Sequence, residues 1–243
     1  AVLRAHLDAA ALLKNREVGG RLLEWLSKVY PQKGPALWQS LNRVGTLALE
    51  LGLVGKRQLA LGKIGLKREP MKNRIFAISD YWTQASLKPL HVALMEVLRT
   101  LPQDATWNQD SGAQVVQKWT AEGRQLWSFD LSAATDRFPR DLQADLVSFL
   151  LRRHGASLGD LWARLLTDRG YVIPKNPVAV RYAAEQPMGR YSSWAVFALT
   201  HHLVVQWAAC LAAKGPRLTE YTIFGDDLVA PEERVALQYQ ELM

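Results

Sequence analysis

The chain of 243 residues is long enough for one large domain or two small ones, and 49% hydrophobic against 22% charged residues is an ordinary globular composition with ample core. Its net charge of +7 and pI of about 9.6 favour a polyanionic partner, nucleic acid first, although many basic proteins bind none. The single cysteine, Cys210, excludes a disulfide framework and a cysteine-based zinc site, and its apolar helical setting reads as core.

Residues 1–54 read as three helices. Leu22, Leu23, Leu26 and Val29 mark one apolar face; Leu37, Leu41, Val44, Leu47, Leu51 and Val54 mark another. No chemistry is visible there. Residues 63–74 change character, with Lys63, Lys67, Arg68, Lys72 and Arg74 against one acid, Glu69. Such a run is usually a solvated face. In a basic chain it is also a place to hold a triphosphate and neutralise its leaving pyrophosphate. The pattern then predicts a strand at 74–78, a helix at 80–98 kinked by Pro89, and a short helix at 112–122.

From Gln125 the predicted order is a strand at 125–131, a helix from Pro139 to Arg153, and a helix at 158–168. A hairpin of 171–173 with 178–182 follows, then a long helix at 192–213, strands at 221–224 and 228–230, and the start of a last helix. The fold class is α+β. The segment 194–213 is long enough to span a bilayer, but His201, His202 and Gln206 in its middle favour a buried core helix and no membrane span. Nine Trp outnumber seven Tyr and six Phe; indoles can stack on bases, but in so apolar a chain most read as core.

Two acidic clusters carry the chemistry. Phe129-Asp130-Leu131-Ser132-Ala133-Ala134-Thr135-Asp136 and Tyr221-Thr222-Ile223-Phe224-Gly225-Asp226-Asp227-Leu228-Val229 each begin in a short apolar, aromatic-rich run that reads as a buried strand. Each puts carboxylates where that strand stops. Carboxylates from two strand ends, side by side, make a site for two divalent metals, the chemistry of phosphoryl and nucleotidyl transfer. Taken singly the clusters are weak signals. Gly225-Asp226-Asp227 is also ordinary β-turn composition. Asp136 can equally pair with Arg137 or cap the helix after Pro139. The apolar strands flanking the turn strengthen the metal reading, because two adjacent acids there need a cation to stay ionised.

Between the clusters, 186–194 joins a Pro/Gly loop to the long helix. Ser192 and Ser193 at its start are either a helix cap or, with Gly189, a flexible loop whose hydroxyls face a ribose or a template strand. His201 and His202 are neighbours in sequence and so do not share a helix face, which argues against joint metal binding.

Together these segments closely resemble the RNA-dependent RNA polymerases of mitoviruses, capsidless RNA replicons of mitochondria. The resemblance runs from about Gly62 to the chain end. It rests on Asp80-Tyr81-Trp82-Thr83-Gln84 with Lys88-Pro89-Leu90-His91, and on Ser128-Phe129-Asp130-Leu131-Ser132-Ala133-Ala134-Thr135-Asp136-Arg137. Gln186-Pro187-Met188-Gly189 with Ser192-Ser193-Trp194, then His201-His202 and Gly225-Asp226-Asp227, complete it.

The resemblance implies a right-hand polymerase palm at 125–243 with partial helical fingers at 1–124 and no thumb. It implies that Asp130 and Asp226, from polymerase motifs A and C, hold two Mg²⁺ ions with support from Asp227, Mn²⁺ being able to substitute. Asp136 with Ser192 or Ser193 would read the ribose 2′-hydroxyl. Arg74, with Lys67, Arg68 and Lys72, would contact the triphosphate. The implied partners are an RNA template, its product strand and ribonucleoside triphosphates, and the implied compartment is the mitochondrion.

Two departures bear on activity. Glu185 stands where the family pattern favours Gly, and the chain stops at Glu241-Leu242-Met243, where the family continues through motif D and the thumb. The opening at Ala1 and not Met leads us to expect a fragment or a processed product, while the two departures lead us to expect weak or no activity and also fit a decayed viral insertion in a host genome. Competing readings are a reverse transcriptase or maturase palm, which Asp136 argues against, a non-catalytic RNA-binding remnant, and an unrelated two-metal nuclease.

Overall fold

A computed structural model describes residues 2–243 apart from 55–58, 71, 175, 177, 184–185 and 216; the side chains of Val2, Leu3, Glu69, Lys72 and Asp136 also lie outside the description. In chain order the elements are α1 (Val2–Lys14), α2 (Arg16–Val29), α3 (Gly34–Glu50), β1 (Gly62–Glu69), β2 (Lys72–Ser79), α4 (Tyr81–Arg99) and α5 (Gln109–Ala121). Then come β3 (Trp127–Asp130), α6 (Ala134–Arg137), α7 (Arg140–Leu150), α8 (Leu158–Thr167), β4 (Tyr171–Val172), β5 (Ala179–Val180), α9 (Ser193–Leu211), β6 (Thr222–Phe224), β7 (Asp227–Ala230) and α10 (Glu233–Leu242). The expected mixture of helices and antiparallel strands is found. Pro89 lies inside α4 without ending it.

The chain forms two compact units, each discontinuous in sequence: 1–90 with 135–193, and 91–134 with 194–243.

In the first unit, α2 starts where the Asn15 side chain accepts from the Val18 amide at 3.1 Å. It buries Val18, Leu22, Trp25, Leu26 and Val29 on one face. That stripe packs α2 against α1, α3 and α8. The sheet of this unit runs β2-β1-β4-β5. Strands β1 and β2 form an antiparallel hairpin, β4 joins β1 in parallel, and β5 returns antiparallel to β4. The hairpin expected from 171–182 is therefore present. The strand β1 was not expected, because its sequence, Gly-Lys-Ile-Gly-Leu-Lys-Arg-Glu, is too basic to read as one. Pairing along its length with β2 supplies what its own pattern lacks.

Buried charge also holds this unit together. Arg169, 2% exposed, donates to the Asp80 carboxylate at 2.5 Å, to the Leu165 carbonyl at 2.7 Å and to the Thr83 hydroxyl at 3.2 Å. Asp80 in turn accepts from the Thr83 amide at 2.7 Å in the first turn of α4. Asp8 accepts from the Tyr81 amide at 2.7 Å, so two carboxylates serve the same helix start.

In the second unit a three-stranded antiparallel sheet runs β3-β7-β6. The chain at 103–105 extends it, with Ala105 donating to the Ile223 carbonyl and Ile223 donating to the Gln103 carbonyl, both at 2.8 Å. Helix α5 packs on β6 and α10 on β7. Ile223, Leu228, Ala230, Val235 and Tyr239 are buried between them. Helix α9 is long and apolar enough to cross a membrane, but about two thirds of it is buried within the protein, as a core helix would be.

Candidate active site

The sheet of the second unit assembles the acids. In the antiparallel pairing of β3 with β7, Asp130 stands directly opposite Asp227. Directly opposed residues project from the same face of a sheet. Asp226 occupies the turn between β6 and β7, and its carbonyl accepts from the Leu131 amide at 3.4 Å, which ties the end of one strand to the other. Asp130 and Asp227 are exposed and Asp226 is half-buried. Although Asp227 is exposed, loss of part of its hydration beside the sheet, followed by repulsion from Asp226 and then Asp130, raises its carboxyl above the ordinary range. Three carboxylates are thus close enough to feel one another, with the charge that a cation would neutralise.

Gly225 makes this turn possible. Its φ is +63°, and a Cβ there would lie 2.3 Å from Cη2 of Trp194. Both facts require glycine.

The donor set is oxygen-only, which fits a hard divalent cation. Among the described residues no group of three or more Asp, Glu, His or Cys side chains is placed to hold a metal ion.

The remaining predicted residues belong to the first unit. The β1–β2 register sets Lys67 opposite Arg74 and Arg68 opposite Asn73, so Lys67 and Arg74 share a face; Lys67, Arg68 and Arg74 are exposed. Lys72 opens β2 opposite Glu69. Gly189, at φ +92°, lies against β2: a Cβ would sit 3.3 Å from the Ala77 carbonyl oxygen and from Cβ of Phe76. Next to it the Ala77 amide donates to the Met188 carbonyl at 2.9 Å.

Ser192 and Ser193 are turned inward and not toward solvent. Ser192, at φ +73°, accepts from Trp162 Nε1 at 2.8 Å and donates to the Tyr191 carbonyl at 2.5 Å. The Ser193 hydroxyl donates to the Pro187 carbonyl at 3.2 Å. Burial explains the turn, since hydroxyls this enclosed need protein partners. Asp136 lies on α6, its side chain outside the described residues, as is Glu185.

Two residues that hold this loop are given no role by the sequence. Gln84 accepts from the Tyr191 amide at 3.1 Å and donates to the Gly189 carbonyl at 3.3 Å. Arg190 is buried, hydrogen-bonds the Tyr171 hydroxyl, and is pulled down to about 10 by burial. An arginine beside a glycine loop looks like a surface residue in sequence, and only its burial distinguishes it.

The two adjacent histidines reach different partners, as their helical spacing predicts. His201 Nδ1 lies 2.7 Å from the Gly225 carbonyl and Nε2 lies 2.7 Å from the Tyr239 hydroxyl. His202 joins Tyr221 and Asp104, each at 3.0 Å.

Three carboxylates thus sit at the strand ends of an antiparallel sheet, beside a glycine turn. The chain belongs to the mitovirus RNA-dependent RNA polymerase family, whose model matches residues 20–243. It is 34% identical to the RNA-directed RNA polymerase of Cryphonectria parasitica mitovirus 1, over the whole of this chain and 30% of that protein. An uncharacterized mitochondrial protein of Arabidopsis thaliana is 36% identical over 60% of this chain and 71% of its own length. A second from the same plant is 38% identical over 61% of this chain and 60% of its own. The chain thus spans under a third of the viral relative's length. In fold it is similar to telomerase from Candida albicans, solved with a fragment of telomeric RNA, at a TM-score of 0.51 and 12% identity over 84% of this chain and 44% of that one.

Proposed function

We propose that this chain carries the nucleotidyl-transfer centre of an RNA-directed RNA polymerase, built as a palm at 125–243 with part of the fingers at 1–124. The observation that carries the reading is the register of Asp130 opposite Asp227 beside Asp226 in the glycine turn. Asp130 and Asp226 are the residues that would hold two Mg²⁺ ions, with Asp227 in support. When bound, such ions activate a primer 3′-hydroxyl and neutralise the triphosphate and its leaving group.

The chain's own residues supply the rest. Lys67, Arg68, Lys72 and Arg74 offer positive charge to the triphosphate. Asp136 accepts a hydrogen bond from the ribose 2′-hydroxyl, the group that separates RNA from DNA precursors. Ser192 and Ser193, bonded inward, shape the Gly189 loop against which the nucleotide or template lies. Base choice comes from pairing with an RNA template. The mitovirus and plant mitochondrial relatives support a mitochondrial setting.

Primer extension on an RNA template, with Mg²⁺ or Mn²⁺, tests the proposal. Extension by the parent and none by Asp226→Asn is the expected outcome. Salt-sensitive RNA binding by both, with no synthesis by either, would instead support a non-catalytic remnant.

A further inference from the structure

The acidic cluster is braced from behind by two buried residues. His201 is fully buried and Tyr239 is 1% exposed. A carbonyl only accepts, so the His201 Nδ1 facing the Gly225 carbonyl carries the proton. Nε2 is then the acceptor for the Tyr239 hydroxyl. One neutral tautomer satisfies both partners. Burial favours that form, drawing His201 down to about 4. At the other end, the Tyr239 ring packs on Phe129 with centroids 5.0 Å apart.

Each end of this chain of contacts falls one residue before an acid. Gly225 precedes Asp226, and Phe129 precedes Asp130. The two strand ends are therefore linked twice, once at the surface through the backbone and once through the core by way of α9 and α10. We propose that His201 and Tyr239 are positioning residues, a strut that fixes the spacing of Asp226 from Asp130 without touching substrate. This rests on the reading of the acids as a metal site for its consequence, but not for its geometry.

Mn²⁺ titration followed by electron paramagnetic resonance, with amide hydrogen exchange of 225–227, tests the strut without needing synthesis. Tyr239→Phe keeps the ring on Phe129 and removes the hydroxyl alone. It is expected to weaken Mn²⁺ binding about tenfold, in the range seen when groups behind metal ligands are removed, and to speed exchange in the turn. Tyr221→Phe, the matching deletion beside His202, is the control and should bind Mn²⁺ as the parent does. Should Tyr239→Phe not fold, His201→Gln takes its place in the same assay, with the same expectation.

Parental Mn²⁺ affinity together with parental turn exchange in the strut variant would overturn the inference. A parent that binds no Mn²⁺, while Tyr239→Phe still speeds turn exchange, would leave the strut standing and defeat the metal reading.

Discussion

At the scale of single residues, the turn and two buried titratable groups make the sharpest predictions. Gly225→Ala combines a left-handed backbone with a clash against Trp194. It should cost about 2–4 kcal/mol by urea denaturation, from the strain and overpacking together. A Gly225→Ala, Trp194→Phe double variant should recover the overpacking part, because the two residues are in contact. His201, lowered from 6.5 to about 4 chiefly by burial, contributes stability that is present above 6.5 and lost as pH falls through about 4. Asp8, raised from 3.8 to about 6 chiefly by burial, works in the opposite direction. Its contribution is full below 3.8 and gone once pH has risen through about 6. Urea midpoints measured from pH 4 to 7 should therefore show Asp8→Asn shedding the part of the profile that declines with rising pH. If parent and variant run parallel, Asp8 is not the group responsible.

At the scale of elements, the first unit depends on how α4 begins. Asp80, Thr83, Asp8 and Arg169 bring the start of α4, the segment after α8 and α1 into one buried polar network. Arg169→Met should destabilise by about 3–5 kcal/mol, since it strands the Asp80 carboxylate in the core. Adding Asp80→Asn should return part of that loss, because the charge left unpaired is then gone. Additive losses in a double-mutant cycle would contradict this. The phrase containing Asp80 and Gln84 is visible in the sequence as a family signature. What it does is not, because Arg169 lies far along the chain and its burial depends on the fold.

At the scale of the whole molecule, a net charge of +7 and the basic β1–β2 hairpin predict RNA binding governed by salt. If Lys67, Arg68, Lys72 and Arg74 each neutralise one phosphate, affinity for single-stranded RNA should fall about 50-fold between about 50 and about 200 mM salt. Replacing Lys67 and Arg74 with Ala should flatten the logarithmic slope by about 1.4, and Asp226→Asn should leave it unchanged. A slope unaffected by the hairpin substitutions would place the RNA elsewhere on the protein.

Local pattern determined most of the elements. The apolar stripe of α2, the long apolar run of α9, and the aromatic runs ending in Asp130 and at Gly225 are all readable because periodicity and turn chemistry are properties of neighbouring residues. The same logic made the pairing of the two acidic segments predictable, since each ends a strand in carboxylates. Tertiary structure alone decided the rest: that Asp227 stands opposite Asp130, that Ser192 turns inward to Trp162, and that Arg169, Arg190 and His201 are buried with specific partners. A polar side chain carries no signal in its own sequence neighbourhood of which distant group will satisfy it. Its partner is set by packing between segments far apart in the chain, where an unmet polar group is too costly to leave.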